Sequence, residues 1–385
     1  MERNHVKNKQ FKTMKLTKKL GFLFSYTFPL TIVLSYYLGG ANWTYSGFLY
    51  AYLLVPILDQ LVGQDPHNVV RTEFESLVDD VYFDVLVYSN VYIQYAFLIW
   101  GSWVLTHDQL SLFQSVGLVL SLGIYAAGII NIAHELGHRQ NKIAQFHSKM
   151  ALMSVSYMHF FIEHNRGHHV HVATPADPAT SLKNQTIFQF WKQSLIGSYK
   201  SAWNIEKRTL QREEKPVWTV SNAMIWYAIL PVAFCVILTL AFYFITNNVT
   251  TLYLIPIFFI AQSLLAILSL ECVNYIEHYG IMRREINGKF ERVNPLHSWN
   301  ANHLMSNLVL FQLQRHSDHH AFASRPYQVL RHFEESPQLP FGYPVMILMS
   351  LMPPLWFKIM NERLENWQKN AFDTEHIARV VKQFA

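Results

Sequence analysis

The chain has 385 residues, of which 51% are hydrophobic, 15% aromatic and 15% charged, with a formal net charge of +5. A charged fraction this far below the roughly 25% of soluble domains argues against an ordinary water-soluble enzyme and for a chain partly solvated by lipid. Its two cysteines, Cys235 and Cys272, both lie inside apolar runs, which excludes a cysteine-based metal site and a disulfide framework.

The first nineteen residues carry seven Lys and Arg and lead directly into an apolar run. That run is long enough to be a membrane helix and is read as one, not as the core of a cleaved leader. A spanning helix needs about 20 mostly apolar residues. Six stretches meet this requirement: 20–38, 44–62, 86–105, 112–133, 223–246 and 251–275. The links 106–111 and 247–250 are too short for anything but antiparallel helical hairpins. A seventh apolar stretch, 341–357, contains Pro344, Pro353 and Pro354 and is expected to be interfacial or re-entrant. The fold class is therefore an all-α polytopic membrane protein. It is expected to be a single domain, with a helical cap built from 134–222 and 276–385.

Basic residues set the orientation. The segment before the first helix holds 7 Lys and Arg, the 63–85 loop 1, the 134–222 segment 11 and the part after 275 holds 12, which accounts for all 31. With six spans these segments share one side, which the positive-inside rule makes cytoplasmic. Both termini are then expected to be cytoplasmic, in a multi-pass protein of the bacterial inner membrane. The positive charge is a topology signal, so nucleic-acid binding is not expected.

The same cytoplasmic side carries the chemistry. Eight of the 19 histidines fall in three strings, His134-Glu-Leu-Gly-His138, His164-Asn-Arg-Gly-His168-His169 and His316-Ser-Asp-His319-His320. Helical residues three or four apart share a face, so each string can aim two or three imidazoles at one point. Eight such ligands are too many for one four-coordinate zinc and imply two metals. Imidazole suits iron, copper, zinc and nickel alike, so the ligands do not name the metal. The first string also matches H-E-x-x-H, in which Glu135 would be the general base of a zinc protease. That reading leaves two of the three clusters without a role. A divalent-metal transporter is disfavoured as well, because the spans hold almost no ionisable residues beyond Asp59 and Glu271.

The longer strings around these histidines, Asn131–His138, Glu163–His169, Asn274–Gly280 and Leu313–His320, resemble those of the membrane alkane 1-monooxygenases. Val172–Pro178 and His297–Asn300 extend the likeness over most of residues 40–360. Spacing of the three clusters alone is shared with membrane fatty-acid desaturases and other lipid hydroxylases, which remain the alternative. Asn274–Gly280 is shared with xylene-type monooxygenases. The resemblance implies nine metal ligands: His134, His138, His164, His168, His169, His278, His316, His319 and His320. His147, His171, His297 and His303 are left out, with His297 and Asn302 expected as polar support.

The resemblance further implies two non-haem iron ions, O2 as co-substrate, and terminal hydroxylation of medium- to long-chain n-alkanes to 1-alkanols. It also implies rubredoxin, fed by its reductase, as electron donor. No flavin, haem or iron–sulfur motif is present to carry electrons internally. Arg139, Lys142, Arg166, Arg315 and Arg325 are candidates for steering an acidic donor. Glu135, Glu163, Glu277 and Asp318 each neighbour a proposed ligand and are expected to orient rings. An alkane has no polar handle, so its site should be an apolar tunnel, with Ala51 on the second helix a candidate wall residue that leaves room for long chains.

Overall fold

Inside lipid every backbone N–H and C=O must find a partner within the protein, which leaves continuous helices as the economical solution for the apolar runs. In this computed structural model, which describes residues 11–371 and, beyond them, 375, 378–380 and 382, all six runs are helical. The chain ends expected to be cytoplasmic lie outside the described residues. The six helices are α1 (Leu16–Gly39), α2 (Ala41–Val62), α3 (Val81–His107), α4 (Leu112–Gly137), and, after two cap helices, α7 (Ala223–Thr246) and α8 (Thr251–His278). The cap helices are α5 (Lys142–Met153) and α6 (Ile187–Arg212).

Five of the six are long and apolar enough to cross a membrane. The exception, α3, has 27 residues, about 40 Å at 1.5 Å each, but is less apolar because of side chains such as Asn90 and Gln94. Both are buried between helices. The Tyr125 hydroxyl donates to Asn90 Oδ1 at 2.8 Å, and Gln94 Nε2 donates to Gln262 Oε1 at 3.4 Å. Polar groups within a helical bundle face inward for this reason.

Two helices position the chemistry. In α4, a capping box of Ser111 and Gln114 fixes the first turn, and the helix continues past the expected end at 133 to Gly137. It packs closely on α8, where a Cβ at Gly123 would lie 2.7 Å from a Leu265 methyl. Small residues permit such an approach where lipid supplies no hydrophobic drive. The last turns of α4 and α8 thus bring His134 and His278 to the same end of the bundle, one for each histidine group. Gly280, at φ +70°, turns the chain away directly after α8, a conformation that a side chain resists.

The 341–357 stretch divides into α10 (Tyr343–Ser350) and α11 (Pro353–Ala371). At eight residues, about 12 Å, α10 is too short to cross a membrane. Its Tyr343, Met346 and Met349 are buried in a cluster with Tyr275, Tyr279 and Trp356. Strands among the described residues are two-residue pairs only, Phe11–Lys12 with Asn68–Val69 and Glu285–Ile286 with Lys289–Phe290.

Candidate metal centre and its apolar approach

Nine histidines converge where α4 and α8 end. His134 and His138 come from the last turn and C-cap of α4, and His278 is the last residue of α8. His316, His319 and His320 come from the short helix α9 (His316–Ala321). The 164–169 string is not a regular helix, since His164–His168 forms a π turn. One wider turn advances each residue by roughly 80° rather than 100°. His168 and His169 then fall on either side of His164 instead of one on its face and one far from it.

That geometry sorts the rings into two sets. His134, His138, His164, His169 and His319 form one, and His168, His278, His316 and His320 the other, with the nitrogens within each set all within 4.8 Å of one another. Neighbouring Nε2 atoms lie 2.7 Å apart for His134–His319, 3.0 Å for His164–His169 and His169–His319, 2.8 Å for His316–His320 and 3.2 Å for His168–His320. Burial, together with repulsion among the rings, holds His164, His169, His316, His319 and His320 well below the usual histidine range, and His138 at about 3. These six rings are therefore neutral, each able to offer a lone pair to a cation. Donors around a cation at about 2.1 Å, the usual metal–imidazole length, sit about 3 Å apart at right angles. The arrangement fits two metal ions, one per set.

The carboxylates divide by what they touch. Asp177 accepts from His168 Nδ1 at 2.9 Å and from the Thr180 hydroxyl at 2.6 Å, which leaves His168 Nε2 free as a donor atom. Burial pulls His168 down, but the Asp177 charge outweighs it and the ring ends above its ordinary value. Asp177 lies within the Val172–Pro178 string but outside the four carboxylates expected to orient rings; its one signal in the sequence is a carboxylate nine residues after a proposed ligand, in a loop the sequence does not fold by itself. Of the four carboxylates expected to orient rings, Glu135 is instead held by Arg139, which also pairs with Asp84. Asp318 accepts from the Arg331 backbone N–H and from Arg325. Glu163 packs over Gly167, where a Cβ would lie 2.6 Å from Oε1, and burial and Asp177 push its carboxyl up to about 8. Glu277 Oε2 lies 3.1 Å from His316 Nε2.

The other histidines among the described residues lie outside both sets. His147 meets the Tyr92 hydroxyl at 2.8 Å, His171 is exposed, and His297 faces Glu291 at 3.2 Å. Asn302 bonds to His332 at 2.8 Å and so braces the cap rather than the rings.

On the membrane side, an apolar cavity runs between α1, α2, α4, α8 and α10. Its walls include Phe28, Ala51, Val55, Gly128, Val273 and Ile347. Asn131, Leu270, Val273 and Leu313 of its wall also line a second small space, faced by His134, His164 and His316. Ala51 belongs to a π turn, Tyr50–Leu54, at the point where Pro56 lacks the N–H that the Tyr52 carbonyl would accept in an α-helix. Opposite it, a Cβ at Gly128 would meet no atom within 4 Å.

On the cap side only His138 and His169 of the nine rings are partly exposed. A polar depression at His138 is lined by Arg139, Gln140, Gln145, Asn165, Arg166 and Ser324. Among the basic residues considered for steering, Lys142 and Arg166 are exposed. Arg315 is not available, since it is buried and donates to the carbonyls of Leu330, Asp65 and His67.

Comparison with known proteins places the chain in a family. The family model for fatty acid desaturases matches residues 110–349, the stretch that holds all nine histidines. Alkane 1-monooxygenase 2 of Alcanivorax borkumensis is 39% identical over 365 residues, covering 92% of this chain and 93% of that protein. Alkane 1-monooxygenase of Pseudomonas putida is 39% identical over 91% of this chain and 86% of its own length. The xylene/toluene monooxygenase hydroxylase component of Pseudomonas putida is more distant, 28% identical over 66% of each chain. With two sets of converging imidazoles at the end of an apolar cavity, and likeness of this extent, the chain belongs to the fatty acid desaturase family and, within it, to the alkane 1-monooxygenases.

Proposed function

We propose that this chain hydroxylates the terminal methyl of medium- to long-chain n-alkanes, using two iron ions, O2 and two electrons delivered by rubredoxin. One oxygen atom enters the C–H bond to give the 1-alkanol; the other leaves as water with two protons and the two electrons. The observation that carries the reading is the apolar cavity beside the imidazoles: Asn131, Leu270, Val273 and Leu313 line both it and the small space faced by His134, His164 and His316. Iron supplies the oxidising power that protein side chains lack. The chain's own residues do the rest. Neutral imidazoles hold the two ions, and Asp177 fixes the tautomer of His168. The walls around Ala51 and Gly128 align a substrate that offers no hydrogen bond. Burial of seven of the nine rings keeps water from the reacting carbon.

The expected topology has six spans, α3 included, with the cap and both termini on the cytoplasmic face of the bacterial inner membrane. The placement of every Lys and Arg in the segments assigned to that face supports it. Rubredoxin would dock over the depression at His138, where Arg166 offers positive charge to an acidic partner. Incubation of the reduced protein with O2 and an n-alkane, read by gas chromatography, should yield the 1-alkanol. No alkanol from the alkane, with desaturation of an acyl-chain substrate offered in parallel, would overturn this reading in favour of a desaturase.

A further inference from the structure

We propose that the Glu277 carboxylate is itself a metal ligand, supplying an oxygen donor that completes the four-histidine set. The inference rests on the metal reading above and deepens it. A carboxylate that only orients an imidazole sits behind it, on the nitrogen away from the metal, as Asp177 does at His168 Nδ1. Glu277 does the opposite. Its Oε2 lies 3.1 Å from His316 Nε2, the nitrogen that also lies 2.8 Å from His320 Nε2 and 3.3 Å from His278 Nε2. His316 Nδ1, on the far side of the ring, has no hydrogen-bond partner. A separation of about 3 Å is the edge expected between adjacent donors at about 2.1 Å from one metal.

Two further features aim the carboxylate. The Tyr343 hydroxyl donates to Oε1 at 2.7 Å, which fixes the side chain and leaves Oε2 directed at the set. Glu277 is 1% exposed, and its one ion-pair partner among the described residues is His316. A carboxylate so deeply buried stays ionised only with a cation beside it, and a bound metal would be that cation. The two positions then each have five protein donors, all nitrogen in the five-histidine set and four nitrogens with one anionic oxygen in the other. Glu277 also lines the small space that shares walls with the apolar cavity, so it stands on the side from which substrate would arrive.

The test compares full-length wild type with Glu277→Ala, the isosteric Glu277→Gln and Tyr343→Phe. Iron is measured by elemental analysis after a chelator challenge and by Mössbauer spectroscopy of 57Fe-loaded protein. Wild type should hold two irons with two distinct spectra. Glu277→Ala should hold one iron at least ten-fold more weakly, and Glu277→Gln should change one spectrum and leave the other. Tyr343→Phe, which keeps the carboxylate, should retain both irons. Two irons in wild type together with unaltered spectra in Glu277→Gln and full retention in Glu277→Ala would overturn the inference alone. A wild type without two irons would overturn the metal reading first and the inference with it.

Discussion

Asp177 and Glu163 are two buried carboxylates within reach of the same rings, and their surroundings set them apart. Burial raises both. At Asp177 the His168 ring and the Thr180 hydroxyl outweigh burial and keep the acid ionised; at Glu163 the neighbouring Asp177 charge adds to burial and keeps the acid protonated at neutral pH. Ionised Asp177 is therefore the group that holds His168 in the ligating tautomer. Asp177→Asn removes that charge while keeping the shape, and metal affinity should fall roughly 10- to 100-fold. Competition with a graded chelator measures it, and an unchanged competition curve would show that Asp177 is not the support for this ligand.

At the scale of elements, the two π turns matter most. One, at His164–His168, divides neighbouring ligands between the two sets; the other, at Tyr50–Leu54, shapes the wall that carries Ala51. Filling the cavity from either side should shorten the alkane that fits. Ala51→Trp and Gly128→Leu are each expected to shift the product profile toward shorter 1-alkanols over a series of chain lengths, with metal content unaltered. A profile identical to wild type in both variants would mean that substrate does not pass this way.

These elements also show what the sequence made legible. The six apolar runs translate into helices because lipid leaves the backbone no alternative, and the i, i+4 spacing brings His134 with His138 and His316 with His320 into common sets, whereas His319 and His168 part from their strings. One extra residue in a helical turn leaves the apolar pattern almost unchanged, so neither π turn was visible beforehand. Partners distant in the chain were equally hidden. Glu135 and Asp318 neighbour ligands in sequence, but arginines hold them. Arg315 looked like a surface cation and is a buried brace across residues about 250 positions away. Tyr343, which fixes Glu277 from the stretch expected at the interface, could be assigned only once the fold brought α10 against α8.

On the scale of the whole molecule, the proposed function has substrate and electrons approach from opposite sides. The apolar cavity opens toward the helices, whereas His138 and His169 are the rings that reach the cap surface. Charge on that surface should matter for the electron donor and not for the alkane. Arg166→Glu is expected to raise the half-saturating rubredoxin concentration several-fold at low ionic strength, and added salt should narrow the gap to wild type. Saturation curves that coincide at every salt concentration would place the docking surface elsewhere.

Metal stoichiometry tests the account most directly. Elemental analysis of the purified full chain should find two irons per polypeptide, with substantial loss when His168 or His319, one from each set, is replaced by Ala. A single zinc per chain, or two irons retained in both variants, would contradict it.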